Sequence, residues 1–321
     1  MGGPGTDATG SAAGPVLERL PARAVPLGGN RAMTVRRSLP QRDRRTVGAW
    51  CFVDHYGPAI VSQDWRMDVP PHPHTGLQTV SWLLAGEVRH CDSLGTEMVV
   101  RPGELNLMTS GHGIAHSEES VGGGELLGVQ LWVALPEGAR EQDPHFEHHA
   151  DLPVVAEAGA DVTVVLGSYG TTTSPARTYT PIVGLEVSLH RTTALALRPE
   201  FEHAVLLLEG AAEVEGEPLE LGSLMYVGTG RSALAVAGDA GTRLLVIGGE
   251  PLEEELVMWW NFVGRSHDDI ARARADWQAQ DRRFGRVAGY DGPWLPAPAL
   301  PAVALVPRAR TQRSLTKGPA A

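Results

Sequence analysis

The chain has 321 residues, room for two domains of ordinary size, and its 42% hydrophobic and 20% charged residues suit a globular protein. A formal net charge of −11, with no basic cluster interleaved with aromatics, argues against direct nucleic-acid binding, which needs a cationic surface to meet phosphates. No apolar run approaches the roughly 18 residues that span a bilayer, and residues 1–16 lack the basic start and apolar core of a secretory signal, so a cytoplasmic location without membrane insertion is expected, with Cys51 and Cys91 reduced and buried.

Residues 1–24 are rich in Gly, Ala, Pro and Ser and are expected to be a disordered tail. Arg36, Arg37, Arg42, Arg44 and Arg45 follow; they read as ion-pair partners or a solvated face, with a patch for an anionic partner as the sharper alternative. Runs of β-formers predict strands at 50–54, 79–84, 87–92, 97–101, 104–109 and 126–134. Turns are expected at Tyr56-Gly57-Pro58, Ala85-Gly86 and Pro102-Gly103. Gly122-Gly123-Gly124 is no phosphate loop, because a strand and not a helix follows it. Many short strands between Gly and Pro turns point to an all-β barrel or sandwich, with a first lobe over residues 25–135.

Residues 136–160 are polar and carry Pro136, Pro144 and Pro153, which predicts a linker with His145, His148 and His149 exposed. The grammar of the first lobe then recurs. Val205-Leu206-Leu207-Leu208-Glu209-Gly210 resembles Ser81-Trp82-Leu83-Leu84-Ala85-Gly86, and Leu221-Gly222-Ser223-Leu224-Met225 resembles Pro102-Gly103-Glu104-Leu105-Asn106, at offsets of 124 and 119 positions. This reads as a duplicated β-barrel over residues 161–301, whose copy has lost all candidate ligands but a structural His203. Aromatic residues 258–262 are expected to pack between the lobes. Ser266 with Asp268 and Asp269 marks a helix N-terminus, and the helix is expected to reach about residue 280. Residues 302–321 are expected to be a second disordered tail.

The chemistry concentrates in two stretches, Pro71-His72-Pro73-His74 and His116-Ser117-Glu118. Residues i and i+2 of a strand project from the same face, so each stretch aims a pair of side chains together. Two such strands facing each other would gather three imidazoles and a carboxylate around a first-row divalent metal. With all four bound to a metal, Glu118 alone can still accept a proton, by loosening from the ion, which makes it the candidate general base.

These residues, with Cys51-Phe52-Val53-Asp54-His55-Tyr56-Gly57-Pro58, His90-Cys91-Asp92-Ser93-Leu94-Gly95, Gly111-His112-Gly113-Ile114-Ala115 and Met258-Trp259-Trp260-Asn261-Phe262, resemble the pirin family of the cupin superfamily. The resemblance implies a bicupin, two tandem cupin-type β-barrels with a short C-terminal helix. It implies His72, His74, His116 and Glu118 as metal ligands, with Fe(II) the expected metal and Mn, Co, Ni, Cu or Zn the other divalent candidates. It implies either dioxygen-dependent opening of a flavonol such as quercetin, or an iron-dependent redox sensor acting on transcription or metabolic enzymes through protein partners. Gln78 and His112 stand where pirins often have Glu and Arg. Gln78 is then a candidate to orient a ligand imidazole or to satisfy backbone in the barrel, and His112 a candidate to admit substrate or an exposed loop residue.

Overall fold

A computed structural model describes residues 16–27 and 33–311. Antiparallel strands build two lobes of one design. In the first lobe the seven-stranded sheet runs in the order His145–His149, Leu105–Thr109, Leu77–Ala85, Gly124–Ala134, Trp50–Val61, Met33–Leu39, Arg23–Leu27. Its smaller companion is ordered Asp68–His74, Ile114–Val121, Glu87–Asp92, Glu97–Val100. In the second lobe the large sheet runs Glu18–Leu20, Leu224–Gly228, Glu202–Glu209, Arg243–Gly249, Ile182–Leu189, Ala160–Tyr169, Val154–Glu157, with Thr172–Thr173 added beside Ala160–Tyr169. The small sheet there is Thr193–Ala196, Ala233–Gly238, Ala212–Val214, Glu217–Leu219. The sheets do not close on themselves, so each lobe is a cupin-type sandwich, and the all-β bicupin expected from the sequence holds.

The internal repeat is visible in backbone detail. Leu83 and Pro102 form an isolated parallel bridge, and Leu207 and Leu221, their counterparts, form another. The amide of Gly103 donates to the Leu83 carbonyl as that of Gly222 donates to Leu207.

Strand alternation divides each large sheet into two faces. Val80, Trp82 and Leu84 pack with Leu206, Leu208 and Leu245 of the other lobe, in one apolar cluster that joins the lobes. Between them, Leu83 turns inward to Val69, Val88 and Val100. The same parity sends Leu127, Val129, Leu131 and Val133 to the lobe interface and leaves Gln130 and Trp132 facing a cavity. Two buried polar contacts tie the lobes together: Trp82 Nε1 donates to Glu186 at 3.1 Å, and His55 Nε2 meets the Leu208 carbonyl at 3.0 Å.

Several segments depart from the sequence reading. Residues 1–15 lie outside the described residues, but Glu18–Leu20 pairs with Leu224–Gly228 and Arg23–Leu27 with Met33–Leu39, so the expected tail is partly strand. The expected linker supplies two more strands, His145–His149 and Val154–Glu157. At the C-terminal end, Arg308 exchanges backbone hydrogen bonds with Leu256, and Arg310 pairs with buried Glu202; residues 312–321 lie outside the described residues. In each case free edge groups of a neighbouring strand, or a buried charge needing a partner, outweigh a disorder-prone composition. The expected turn at Gly57 is instead a bulge within Trp50–Val61, where Gly57 at φ +84° lies so close to the Leu126 carbonyl that a Cβ would clash. The arginine-rich stretch supplies internal partners: Arg37 forks onto Asp54 at 2.7 Å, and Arg44 reaches Glu18 at 2.7 Å while lying over Tyr226.

The helix runs over His267–Gln278, with Ser266 and Asp269 forming a reciprocal capping box and Ile270, Ala273 and Trp277 buried. No helix among the described residues is long and apolar enough to cross a membrane.

Burial lowers both His55 and His203 to about 4, against an ordinary imidazole value of 6.5. Unfolding therefore takes up protons between these values, and stability is full above pH 6.5 and falls progressively toward pH 4. Each histidine should cost roughly 2 kcal/mol of stability by pH 5. Urea unfolding of metal-free protein at pH 7 and pH 5 checks this, and His55→Gln should shrink the difference by its own share of roughly 2 kcal/mol.

Candidate metal centre

The site sits where the small sheet of the first lobe faces the large one. His72 and His74 alternate on Asp68–His74, whose neighbour Ile114–Val121 places His116 directly opposite His72. A register shift then falls between His116 and Glu118, and the far side of the same strand sets Glu118 opposite His90. One nitrogen from each of His72, His74 and His116 lies within 4.8 Å of the others, and the Nε2 atoms of His74 and His116 are 3.1 Å apart. Glu118 forms a second trio with His116 and His90 on the same distance criterion. All four residues expected from the sequence line one cavity of about 320 Å³.

His90 is the residue the sequence reading missed. It is buried, its Nδ1 lies 3.2 Å from His116 Nδ1, and its Nε2 lies 3.1 Å from Asp92. The i, i+2 spacing that flagged the other pairs was present here too, as His90-Cys91-Asp92.

Electrostatics favour uncharged imidazoles. Burial is the main cause that holds His72 at about 4, and burial with neighbouring imidazoles keeps His74 and His116 well below their ordinary value. His72 Nδ1 donates to the Pro70 carbonyl at 2.8 Å, so its Nε2 is left as a lone pair. Burial raises Glu118 above the usual carboxylate value, countered in part by His90 and the Ser81 hydroxyl. That hydroxyl sits 2.9 Å from Gln130 Oε1 and 3.3 Å from Glu118 Oε1 and donates to one at a time. Burial works against Asp92 ionising, but hydrogen bonds from His90 and Thr96 outweigh it and hold the carboxyl below its ordinary value. Three neutral imidazoles and a carboxylate, packed this closely without a cation, are costly to bury. The donor set fits a divalent transition metal, leaving about one positive charge and open positions on an ion that accepts six ligands.

The cavity walls are aromatic. Phe52 and Trp132 stack with ring centroids 3.9 Å apart, and the Arg37 guanidinium covers Phe52 at 4.3 Å. The aromatic stretch expected to pack divides its roles. Phe262 is fully buried, whereas Trp260 (φ 51°) and Asn261, at the tip of the hairpin Val257–Trp259 and Phe262–Gly264, line the cavity. Leu295 closes another side, held by its amide on the Pro71 carbonyl at 2.8 Å.

The structure also decides between the readings of the remaining candidates. Gln78 lies on the even face of its strand, toward the second lobe, and its amide bonds Thr109 and the Arg177 carbonyl instead of an imidazole. His112 sits in a loop, 3.4 Å from Asp143, and is not part of the cavity wall. His145, His148 and His149 are half-buried on a strand, where Glu147 lies between His145 and His149. Cys51 and Cys91 are buried and free, and burial pushes the Cys51 thiol up to about 12, so neither is poised as a nucleophile.

Family models for Pirin and for the Pirin C-terminal cupin domain match residues 32–133 and 182–285. A Pseudomonas aeruginosa protein named "Putative quercetin 2,3-dioxygenase" is 46% identical over 89% of this chain and 91% of its own. The chain belongs to the pirin family. A pirin-like protein of Caulobacter vibrioides is 37% identical over 76% of this chain and 88% of its own. The crystal structure of a quercetin 2,3-dioxygenase from Acinetobacter baumannii superposes with a TM-score of 0.87 at 41% identity, covering 92% of this pirin and 98% of that chain.

Glu118, raised by burial, destabilises the metal-free protein at neutral pH, because a carboxylate lifted in the folded state loses stability as pH rises through its pKa. Glu118→Gln should therefore raise the melting temperature of chelator-treated protein at pH 7 while weakening metal uptake. A lower melting temperature would show that the carboxylate is already compensated.

Proposed function

We propose that this pirin is a metal-dependent oxygenase that opens a flavonol such as quercetin with dioxygen. One divalent cation, Fe(II) in the first instance, would be held by His72, His74, His116 and Glu118. The observation that carries the reading is the convergence of those four side chains on one aromatic-walled cavity. At about 320 Å³ the cavity falls at the lower end of the 300–1,000 Å³ typical of small-molecule sites. The names of the Pseudomonas and Acinetobacter relatives support the substrate class.

When bound, the metal supplies Lewis acidity toward a substrate hydroxyl and redox activity toward dioxygen. The protein supplies the rest. The stacked Phe52 and Trp132 rings offer a flat wall that orients a planar aromatic substrate. Arg37, neutralised by its fork on Asp54, extends that wall without adding net charge. Glu118, whose proton affinity is raised by burial, takes the proton of the 3-hydroxyl, and the Ser81 hydroxyl steadies its carboxylate beforehand. Leu27, Val69 and Leu295 keep bulk water from the reacting face.

Iron-loaded protein should consume dioxygen with quercetin, measured with an oxygen electrode on protein of known metal content. His74→Ala and Glu118→Ala should each keep the fold and weaken metal binding by more than roughly 100-fold, beyond the usual effect of losing an outer partner. Unchanged metal in both variants would remove the ligand assignment. Absence of oxygen uptake in the Fe, Mn, Co, Ni and Cu forms would shift the reading to a redox sensor. In that case protein partners should be captured according to the oxidation state of the metal.

A further inference from the structure

Both ring nitrogens of His116 are engaged. Nε2 meets His74 Nε2 at 3.1 Å on the cavity side, and Nδ1 meets His90 Nδ1 at 3.2 Å. His90 turns its own Nε2 to Asp92 Oδ2 at 3.1 Å. The other carboxylate oxygen, Asp92 Oδ1, accepts the Leu94 and Thr96 amides at 2.9 and 3.0 Å. All three side chains are buried, and Phe146 stacks on the His90 ring at 4.6 Å and fixes its plane.

The direction of these hydrogen bonds is set at the Asp92 end. An ionised carboxylate only accepts, so His90 Nε2 carries the proton. In the neutral form of the His90 ring, Nδ1 is then bare and accepts from His116 Nδ1–H. The single proton of His116 is thereby spent on the side away from the cavity. We infer that Asp92 and His90 are positioning residues that set the tautomer of His116, so that its Nε2 lone pair faces the cavity ready for a cation. This rests on the reading of His116 as a ligand. His90 lies near enough to His116 and Glu118 to suggest a ligand in its own right, but both its nitrogens already have partners.

The turn at Asp92 makes an isosteric test possible. In Asp92→Asn the side-chain carbonyl stays on the Leu94 and Thr96 amides, which leaves the NH₂ group facing His90 Nε2. A donor there reverses the chain: His90 Nε2 accepts, His90 Nδ1 donates, and His116 carries its proton on Nε2, toward the cavity.

The experiment uses the full chain. Nitrogen-15 NMR of histidine-labelled, metal-free protein at pH 7 should show His116 protonated at Nδ1 in the wild type and at Nε2 in Asp92→Asn. Ni(II) affinity, measured by competition with a chromophoric chelator, should fall by about 10–100-fold in Asp92→Asn, and further in His116→Ala. A merely structural role for Asp92 would not exchange the tautomers. Wild-type His116 protonated at Nε2, His90 protonated at both nitrogens, or an Asp92→Asn protein with unaltered Ni(II) affinity beside a weakened His116→Ala would each overturn the inference and leave the ligand assignment standing. Wild-type affinity in His116→Ala would instead remove the ligand assignment. Should Asp92→Asn not fold, the wild-type spectrum alone decides.

Discussion

The constraint on which this molecule depends is the two-residue alternation of its long strands. Each large sheet has one face committed to the other lobe and one face turned into its own lobe. Val80, Trp82 and Leu84 serve the first and Leu83 the second, while Ser81 points inward to Glu118. A slip of a single residue would carry the apolar set into the cavity and the polar set into the lobe interface. The register is pinned in the centre of Gly124–Ala134, where residues 128–133 pair with strands on both sides.

The same inward face explains why the two lobes differ in chemistry while sharing a plan. In the first lobe it meets His72, His74 and His116, and the dry surroundings keep these imidazoles uncharged, with lone pairs available. In the second lobe the strands at the equivalent places, Thr193–Ala196 and Ala233–Gly238, bring Leu195, Leu234 and Val236 into an apolar core. Where Ser81 stands beside the carboxylate, the repeat has buried Val205. The second lobe thus contributes bulk and rigidity, delivered across the interface by Trp82 on Glu186 and His55 on Leu208. Chain ends complete the arrangement: a strand near the N-terminus joins the second lobe, and the coil around Leu295 from the far end closes the cavity of the first.

Much of this was legible in the linear chain. The paired candidate ligands were readable because strand geometry makes i and i+2 neighbours regardless of the rest of the fold, and the duplication was readable because both copies retain the same apolar run and turn. The capping box at Ser266 needs only residues within one turn of helix. Glu118 and the three histidines of the original motif are therefore local features, determined by the order of residues alone.

What the tertiary structure decided is whatever depends on which face a side chain shares with a distant strand. His90 became a neighbour of His116 only through strand pairing, and Gln78, adjacent in sequence to the motif, was carried away from it by one step of parity. The segments 18–24, 145–157 and 308–311 read as tails or linker because their composition has no strong local preference, and they are ordered by edge hydrogen bonds and ion pairs offered by other parts of the chain. Local spacing specifies which residues can act together. Only the packing of one sheet on another specifies which of them do, because burial and hydrogen-bond direction are properties of the surroundings and not of the residue.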